Sequence, residues 1–150
     1  MISRPPNKVT VQRQPYQTHV VAAGVFDGLH DGHRYYLRAA KRLGDVLTVI
    51  VARGQTVQVI KNKTPRYSEK QRRAAVARFP DVDYAVLGNR LSAARPEHRF
   101  ALLLQLKPDV ICLGYDQPVK TPALRRFLNT HGLRTTRIVR ARKAPIDKKP

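Results

Sequence analysis

The stretch Gly24-Val25-Phe26-Asp27-Gly28-Leu29-His30-Asp31-Gly32-His33 gathers two imidazoles, two aspartates and three glycines into ten residues. Gly24 permits close approach of backbone to a ligand, and free amides at the start of a following helix favour an anion. Histidines three residues apart with a glycine between them can both donate hydrogen bonds into that anion site. His30 and His33 therefore read as a clamp on one phosphate. Two other readings stand beside this one: half of a metal site, or two incidental histidines in a surface turn. A metal site would need a cysteine or histidine cluster to complete a tetrahedral shell, and the sequence offers none. Neither alternative accounts for Phe26-Asp27 ahead of the histidines.

A loop of this kind works only if a strand delivers it and a helix follows it. Residues 18–24 (THVVAAG) are a short apolar run ending in glycine, and 33–43 place Tyr36, Leu37, Ala40 and Leu43 at helical spacing. Residues 45–52 (DVLTVIVA) form a nearly continuous β-branched run, as a central parallel strand covered on both faces requires. Ser68-Glu69-Lys70-Gln71 fits a capping box, and Ala74, Ala75, Val76 and Phe79 continue it as a helix closed by Pro80. Strands at 84–87, 109–113 and 134–139 and helices at 96–106 and 122–131 complete the alternation. The pattern predicts an α/β fold: a doubly wound, Rossmann-like parallel sheet of five strands with right-handed crossovers. Ligands of such sheets lie beyond the carboxyl ends of the strands, at the topological switch point. There the first and fourth strands end in glycine-containing polar loops. Residues 1–16 read as an extended arm, 17–142 as the domain and 143–150 as a flexible basic tail.

Composition narrows the function classes. No run approaches the roughly 18 apolar residues of a membrane span. The basic amino terminus has no apolar stretch behind it, so a cytoplasmic protein without membrane association is expected. The lone Cys112 excludes an internal disulfide and reads as a small buried hydrophobe. Twenty-nine Lys and Arg against 10 Asp and Glu give a net charge of +19, which attracts polyanions, whether a triphosphate or a nucleic acid. Aromatics make up 7% and do not alternate with the basic residues as a stacking platform requires, so nucleic acid is the less favoured partner.

The ten-residue stretch resembles the signature of the cytidylyltransferase-like nucleotidyltransferases, whose H-x-G-H histidines stabilise a triphosphate during attack on its α-phosphate. The resemblance continues through 41–53 (KRLGDVLTVIVAR), Lys61, Lys63, 68–73 (SEKQRR) and 106–117 (LKPDVICLGYDQ), and spans about 18–139. Within that family, G-Y-D-Q after the fourth strand and V-A-R after the second most resemble the archaeal-type FAD synthases, which adenylylate FMN. The glycerol-3-phosphate cytidylyltransferases are next. The resemblance implies that His30 and His33 bind the triphosphate and that Lys61 and Arg72 contact phosphates. It further implies that Gly114 and Asp116 line the nucleotide pocket, that Asp27 faces the reacting groups, and that Gly24, Val25 and Phe26 form the pocket floor. A homodimer is implied too.

The residues themselves leave some roles open. Lys61 and Lys63 follow the second strand in an expected loop, where lysines are often only solvated. Arg72 stands near a helix start, where the dipole disfavours a cation unless an anion is bound. Asp116 can accept from a ribose hydroxyl or cap a turn. Val25 stands where many family members have threonine. The hydroxyl-rich motif that usually follows the last strand is matched only superficially by Thr135-Thr136-Arg137-Ile138, which reads better as the strand itself. The paired cysteines of some archaeal FAD synthases are missing.

The implied reaction is in-line attack by an acceptor phosphate oxygen on the α-phosphorus of ATP or CTP, with release of pyrophosphate. Mg2+ carried in with the nucleotide would bridge its β and γ groups. The competing class is a non-catalytic nucleotide- or nucleic-acid-binding protein on the same scaffold.

Overall fold

The computed structural model describes residues 14–91 and 99–145. Its elements are β1 (His19–Gly24), α1 (Asp31–Lys41), β2 (Val46–Val51), α2 (Gly54–Lys61), α3 (Glu69–Ala77), β3 (Tyr84–Leu87), α4 (Ala101–Leu106), β4 (Val110–Leu113), α5 (Thr121–Thr130) and β5 (Arg137–Arg140). The five strands are all parallel, in the order β3-β2-β1-β4-β5. The chain winds outward from β1 in both directions, which is the doubly wound α/β architecture expected.

Side chains alternate across a strand, so each central strand feeds two cores. Val20 and Ala22 of β1 join Leu47, Val49 and Val51 of β2 beneath Leu37 and Ala40 of α1 and Val76 of α3. Val21 faces the other way, with Ile111 and Leu113 of β4, against Leu102, Leu103 and Leu106 of α4 and Leu124 and Leu128 of α5. Register is pinned at the amino ends by three carboxylates. Asp45, Asp109 and Asp83 accept from the amides of Thr18, His19 and Leu47 at 2.7, 2.8 and 2.8 Å. The opposite edge of the sheet is left for a ligand.

Some details differ from the sequence-based expectation. The region after β2 is not simply a loop, because Gly54–Lys61 forms α2 and carries Lys61 in its last turn. Thr56, Val57, Val59 and Ile60 give it little helical preference. It forms because Glu69 Oε1 accepts from its first amide, that of Gly54, at 3.0 Å, while Asn62 closes it in the left-handed conformation. The third crossover helix begins at Ala101, whereas Pro96, Glu97 and His98 lie outside the described residues. The last strand begins at Arg137, because the buried Thr136 uses its hydroxyl to reach the Pro108 carbonyl at 2.7 Å. That contact places Thr136 at the amino end of β5, away from the ligand edge. Of the expected arm and tail, only 14–16 and 143–145 are described. Among the described residues no helix is long and apolar enough to cross a membrane.

Candidate active site

The ladder between β1 and β4 stops at Ala22 and Cys112. Beyond it the strands part, and the peptide groups left on either side need partners. Tyr36, from α1, accepts from the Ala23 amide at 3.2 Å and donates to the Cys112 carbonyl at 2.5 Å. Desolvation pushes its pKa up, so the phenol stays protonated. The Gln117 amide completes the bridge, accepting from the Gly114 amide at 2.6 Å and donating to the Ala23 carbonyl at 2.9 Å. The parted ends open into a cleft of about 670 Å³ lined by Gly24, Val25, Phe26, Asp27, His30, His33, Lys61, Gly114 and Asp116, among others. The structure thus gathers at one cleft every predicted site residue except Arg72.

His30 and His33 are fixed by a capping box made of two histidines. His30 Nδ1 accepts from the amides of Gly32 and His33 at 3.1 and 3.4 Å, and His33 Nδ1 accepts from the His30 amide at 3.2 Å. The rings stack with centroids 3.7 Å apart. Both Nδ1 atoms act as acceptors, which leaves the proton of each neutral ring on Nε2. His33 is half-buried against Phe26, with ring centroids 5.2 Å apart. Desolvation, then the neighbouring His30 charge, lowers its pKa from 6.5 to about 4, while the Gly28 carbonyl opposes the shift. The result is a pair of ring N–H donors at the opening of α1, an arrangement suited to phosphate oxygens.

The loop ahead of this helix is held open by strain and a buried cation. Phe26 lies in the left-handed region at φ 55°, which costs a non-glycine residue roughly 1–3 kcal/mol, and its ring is buried beneath Gly24. A Cβ at Gly24 would stand 2.9 Å from that ring, so glycine is required there. Asp27 lines the cleft, but its carboxylate is already engaged by the amides of Arg66 and Tyr67 at 2.9 and 3.0 Å. The Arg66 bond is the main cause of its lowered pKa. Arg72 is displaced from its expected place at substrate phosphates. It is 1% exposed and turned beneath the loop, where Nη1 donates to the carbonyls of Val25 and Ala52 at 2.9 and 2.6 Å and Nε to that of Tyr67 at 3.0 Å. Burial lowers its pKa, with Asp27 and Glu69 opposing. Three carbonyl oxygens hold Nε and Nη1, while Nη2 is buried without a hydrogen-bond partner among the described residues.

Lys61 and Lys63 are exposed at the cleft, Gly114 is buried in its wall and Asp116 is exposed at its rim. Tyr36 was legible in the sequence only as part of a helical face. The hydrogen-bonding duty of Gln117 had no sequence signal beyond its place in G-Y-D-Q.

Two outcomes follow from this geometry. An unfolded chain binds a proton at His33 near pH 6.5 while the folded one resists until about 4, so His33 favours the fold above that window and the benefit fades as pH falls through it. The melting temperature should drop between those pH values more steeply in the wild type than in His33→Gln, which keeps the cap without titrating; parallel curves would remove the effect. Arg72→Met should lower ligand-free stability by roughly 3 kcal/mol in urea titration, and Arg72→Lys by a similar amount, since an ammonium cannot span three carbonyls. An arginine serving only substrate would leave ligand-free stability unchanged.

Comparison with known proteins identifies the family and supports the fold. Residues 21–144 match the model of the cytidylyltransferase-like family. The chain is 40% identical over 124 residues to an FAD synthase of Thermoplasma volcanium, covering 83% of this chain and 82% of that protein. It is 42% identical over 121 residues to an FAD synthase of Archaeoglobus profundus, covering 81% and 72%. The solved structure of a lipopolysaccharide core biosynthesis protein from Thermoplasma volcanium superposes with a TM-score of 0.77 at 38% identity, covering 86% of this chain and 99% of that one. A pantoate-beta-alanine ligase from Francisella tularensis, with TM-score 0.62 and 16% identity, shares the fold over 89% of this chain and 62% of its own. The chain belongs to the cytidylyltransferase-like family of nucleotidyltransferases.

Proposed function

We propose that the protein transfers the adenylyl group of ATP to the phosphate of FMN, forming FAD and pyrophosphate. The observation that carries this reading is the reciprocal His30 and His33 box at the opening of α1, set in a cleft at the switch point of a chain about 40% identical to FAD synthases. An FMN phosphate oxygen attacks the α-phosphorus in line. The bond from that phosphorus to the α,β-bridging oxygen breaks, and its electron pair leaves with pyrophosphate. The enzyme forms no covalent intermediate, and catalysis consists of positioning and charge stabilisation.

In this reading the Nε2 protons of His30 and His33 meet the phosphate oxygens as charge moves onto the leaving group. Lys61 adds a mobile cation from the end of α2. Arg72 acts at one remove by holding Val25 and Ala52, and so the shape of the loop. Asp116 stands at the rim for a nucleoside hydroxyl, with Gly114 allowing the nucleotide close to β4. The apolar side chains of Ile60, Phe100, Leu103 and Val119 line the same cleft and suit a planar ring system. A divalent cation, Mg2+ by this proposal, arrives with the triphosphate as part of the substrate. Asp27 is committed to backbone amides, so the ion would draw its ligands chiefly from phosphate oxygens and water.

The test measures pyrophosphate release for ATP and CTP, each paired with FMN, glycerol 3-phosphate and phosphopantetheine. Release with ATP and FMN alone, with FAD as product, is expected. The double variant His30→Asn, His33→Gln retains acceptors for the capping box and should melt near the wild-type temperature while turnover falls by roughly 10²-fold or more. Release with another pair would reassign the substrates. Nucleotide binding without release from any pair would make the protein a non-catalytic binder.

A further inference from the structure

Charge is distributed unevenly over the two sides of the sheet. On one side, Arg34, Arg38 and Lys41 of α1 are answered by Asp31, Asp81 and Asp83 at 3.0, 3.9 and 2.7 Å. Between Asp116 and Asp147, by contrast, the chain carries eight Lys and Arg and no carboxylate. That stretch builds α5, on the other side, and the edge strand β5. Two of its cations serve the fold. Arg140 is bonded to the carbonyls of Gly114, Gln117 and Val119, and Arg125 donates to those of Leu133, Arg134 and Thr136 at 2.9, 3.2 and 2.5 Å. The Arg125 fork pins the turn between α5 and β5 to the helix. Arg126, Arg134 and Arg137 ride on this pinned segment. All three are exposed, none forms an ion pair with a described residue, and none lines the cleft.

Folding also supplies an aromatic component that the order of residues along the chain conceals. Phe100 and Phe127 meet with ring centroids 5.4 Å apart, and the His131 ring packs on Phe127 at 4.3 Å. The His131 Nδ1 donates to the Phe127 carbonyl at 2.8 Å, which fixes the ring at the end of α5, and the residue is exposed. Free guanidinium groups beside a fixed planar ring are the two parts of a surface for single-stranded nucleic acid: cations for phosphates and a platform for a base. A membrane-binding face or a protein interface would present large apolar side chains instead. The exposed large hydrophobics among the described residues, Tyr16, Val59, Ile60, Tyr67 and Tyr115, all lie outside α5 and β5.

We propose that the outer face of α5 and the turn into β5 bind single-stranded nucleic acid, with Arg126, Arg134 and Arg137 on phosphates and His131 against a base. This is a function separate from the chemistry of the cleft, and it does not depend on the adenylyl-transfer reading. Counterions released from the bound backbone supply the driving force, so affinity falls steeply with salt.

The test is fluorescence anisotropy of a labelled single-stranded RNA of about 20 nucleotides, titrated with the full chain between about 50 and 200 mM salt. The variant Arg126→Ala, Arg134→Ala, Arg137→Ala is set against Arg42→Ala, Lys70→Ala, Arg78→Ala, which removes equal charge from exposed positions on the α1 and α3 side. The first should lose about tenfold or more in affinity and flatten the slope of log affinity against log salt by about 2, the effect of three lost phosphate contacts on a single strand. The second should stay within about threefold of the wild type, and Arg126→Lys, Arg134→Lys, Arg137→Lys should bind as the wild type does. His131→Ala should lose about fivefold or more, with His131→Tyr restoring it. Equal losses in the two alanine triples, an unchanged His131→Ala, displacement of the RNA by excess ATP, capture by phosphatidylserine vesicles in preference to RNA, or no wild-type binding at the lower salt would overturn the proposal. The readout is binding to the chain alone, so failure to form FAD would leave this face standing.

Discussion

The parting of β1 and β4 is the constraint on which the rest of the molecule depends. Parallel strands that wind outward in opposite directions cannot keep a helix over the gap between them, so a crevice forms at their carboxyl ends. It stays open only if the peptide groups exposed there find partners. Tyr36 and Gln117 supply them, and in doing so tie α1 and the β4–α5 loop to the ends of both strands. Each side chain contributes to architecture and to the wall of the site.

From that frame the loop geometry follows. Arg72 draws in three carbonyls from three segments, Asp27 joins the same loop to the turn before α3, and Phe26 accepts an unfavourable backbone conformation to fill the space under Gly24. A buried guanidinium and a strained aromatic are costly, and the aromatic packs directly against His33. The two imidazoles, rather than the usual serine or aspartate, cap α1, which turns a structural device into a pair of oriented donors. Desolvation, the largest cause of its lowered pKa, favours the neutral form of His33, whose ring N–H is a directional donor.

Much of this was legible in the sequence, for identifiable reasons. The β-branched run of β2 and the apolar runs of β1 and β4 are what strands covered on both faces require, and Ser68-Glu69-Lys70-Gln71 announced α3 by its cap. The H-x-x-H spacing marked the start of α1, although histidine is an uncommon cap and the helix was expected to begin at His33 rather than Asp31. The helix α2 was missed because its stability comes from Glu69, fifteen residues away, and not from its own sequence. Arg72 misled for a related reason: spacing places a cation near a helix start but does not say which way its side chain turns. Tyr36 and Gln117 were opaque because their partners are main-chain groups on strands 76 and 94 residues distant.

The central claim is that the Nε2 faces of His30 and His33 meet the phosphates of the nucleotide. It is tested most directly by a crystal structure of the protein with Mg2+ and a non-hydrolysable ATP analogue. Phosphate oxygens within about 3 Å of both Nε2 atoms, with both Nδ1 atoms still receiving the helix amides, are expected. Phosphates bound elsewhere in the cleft, or either ring turned over to present Nδ1, would contradict it.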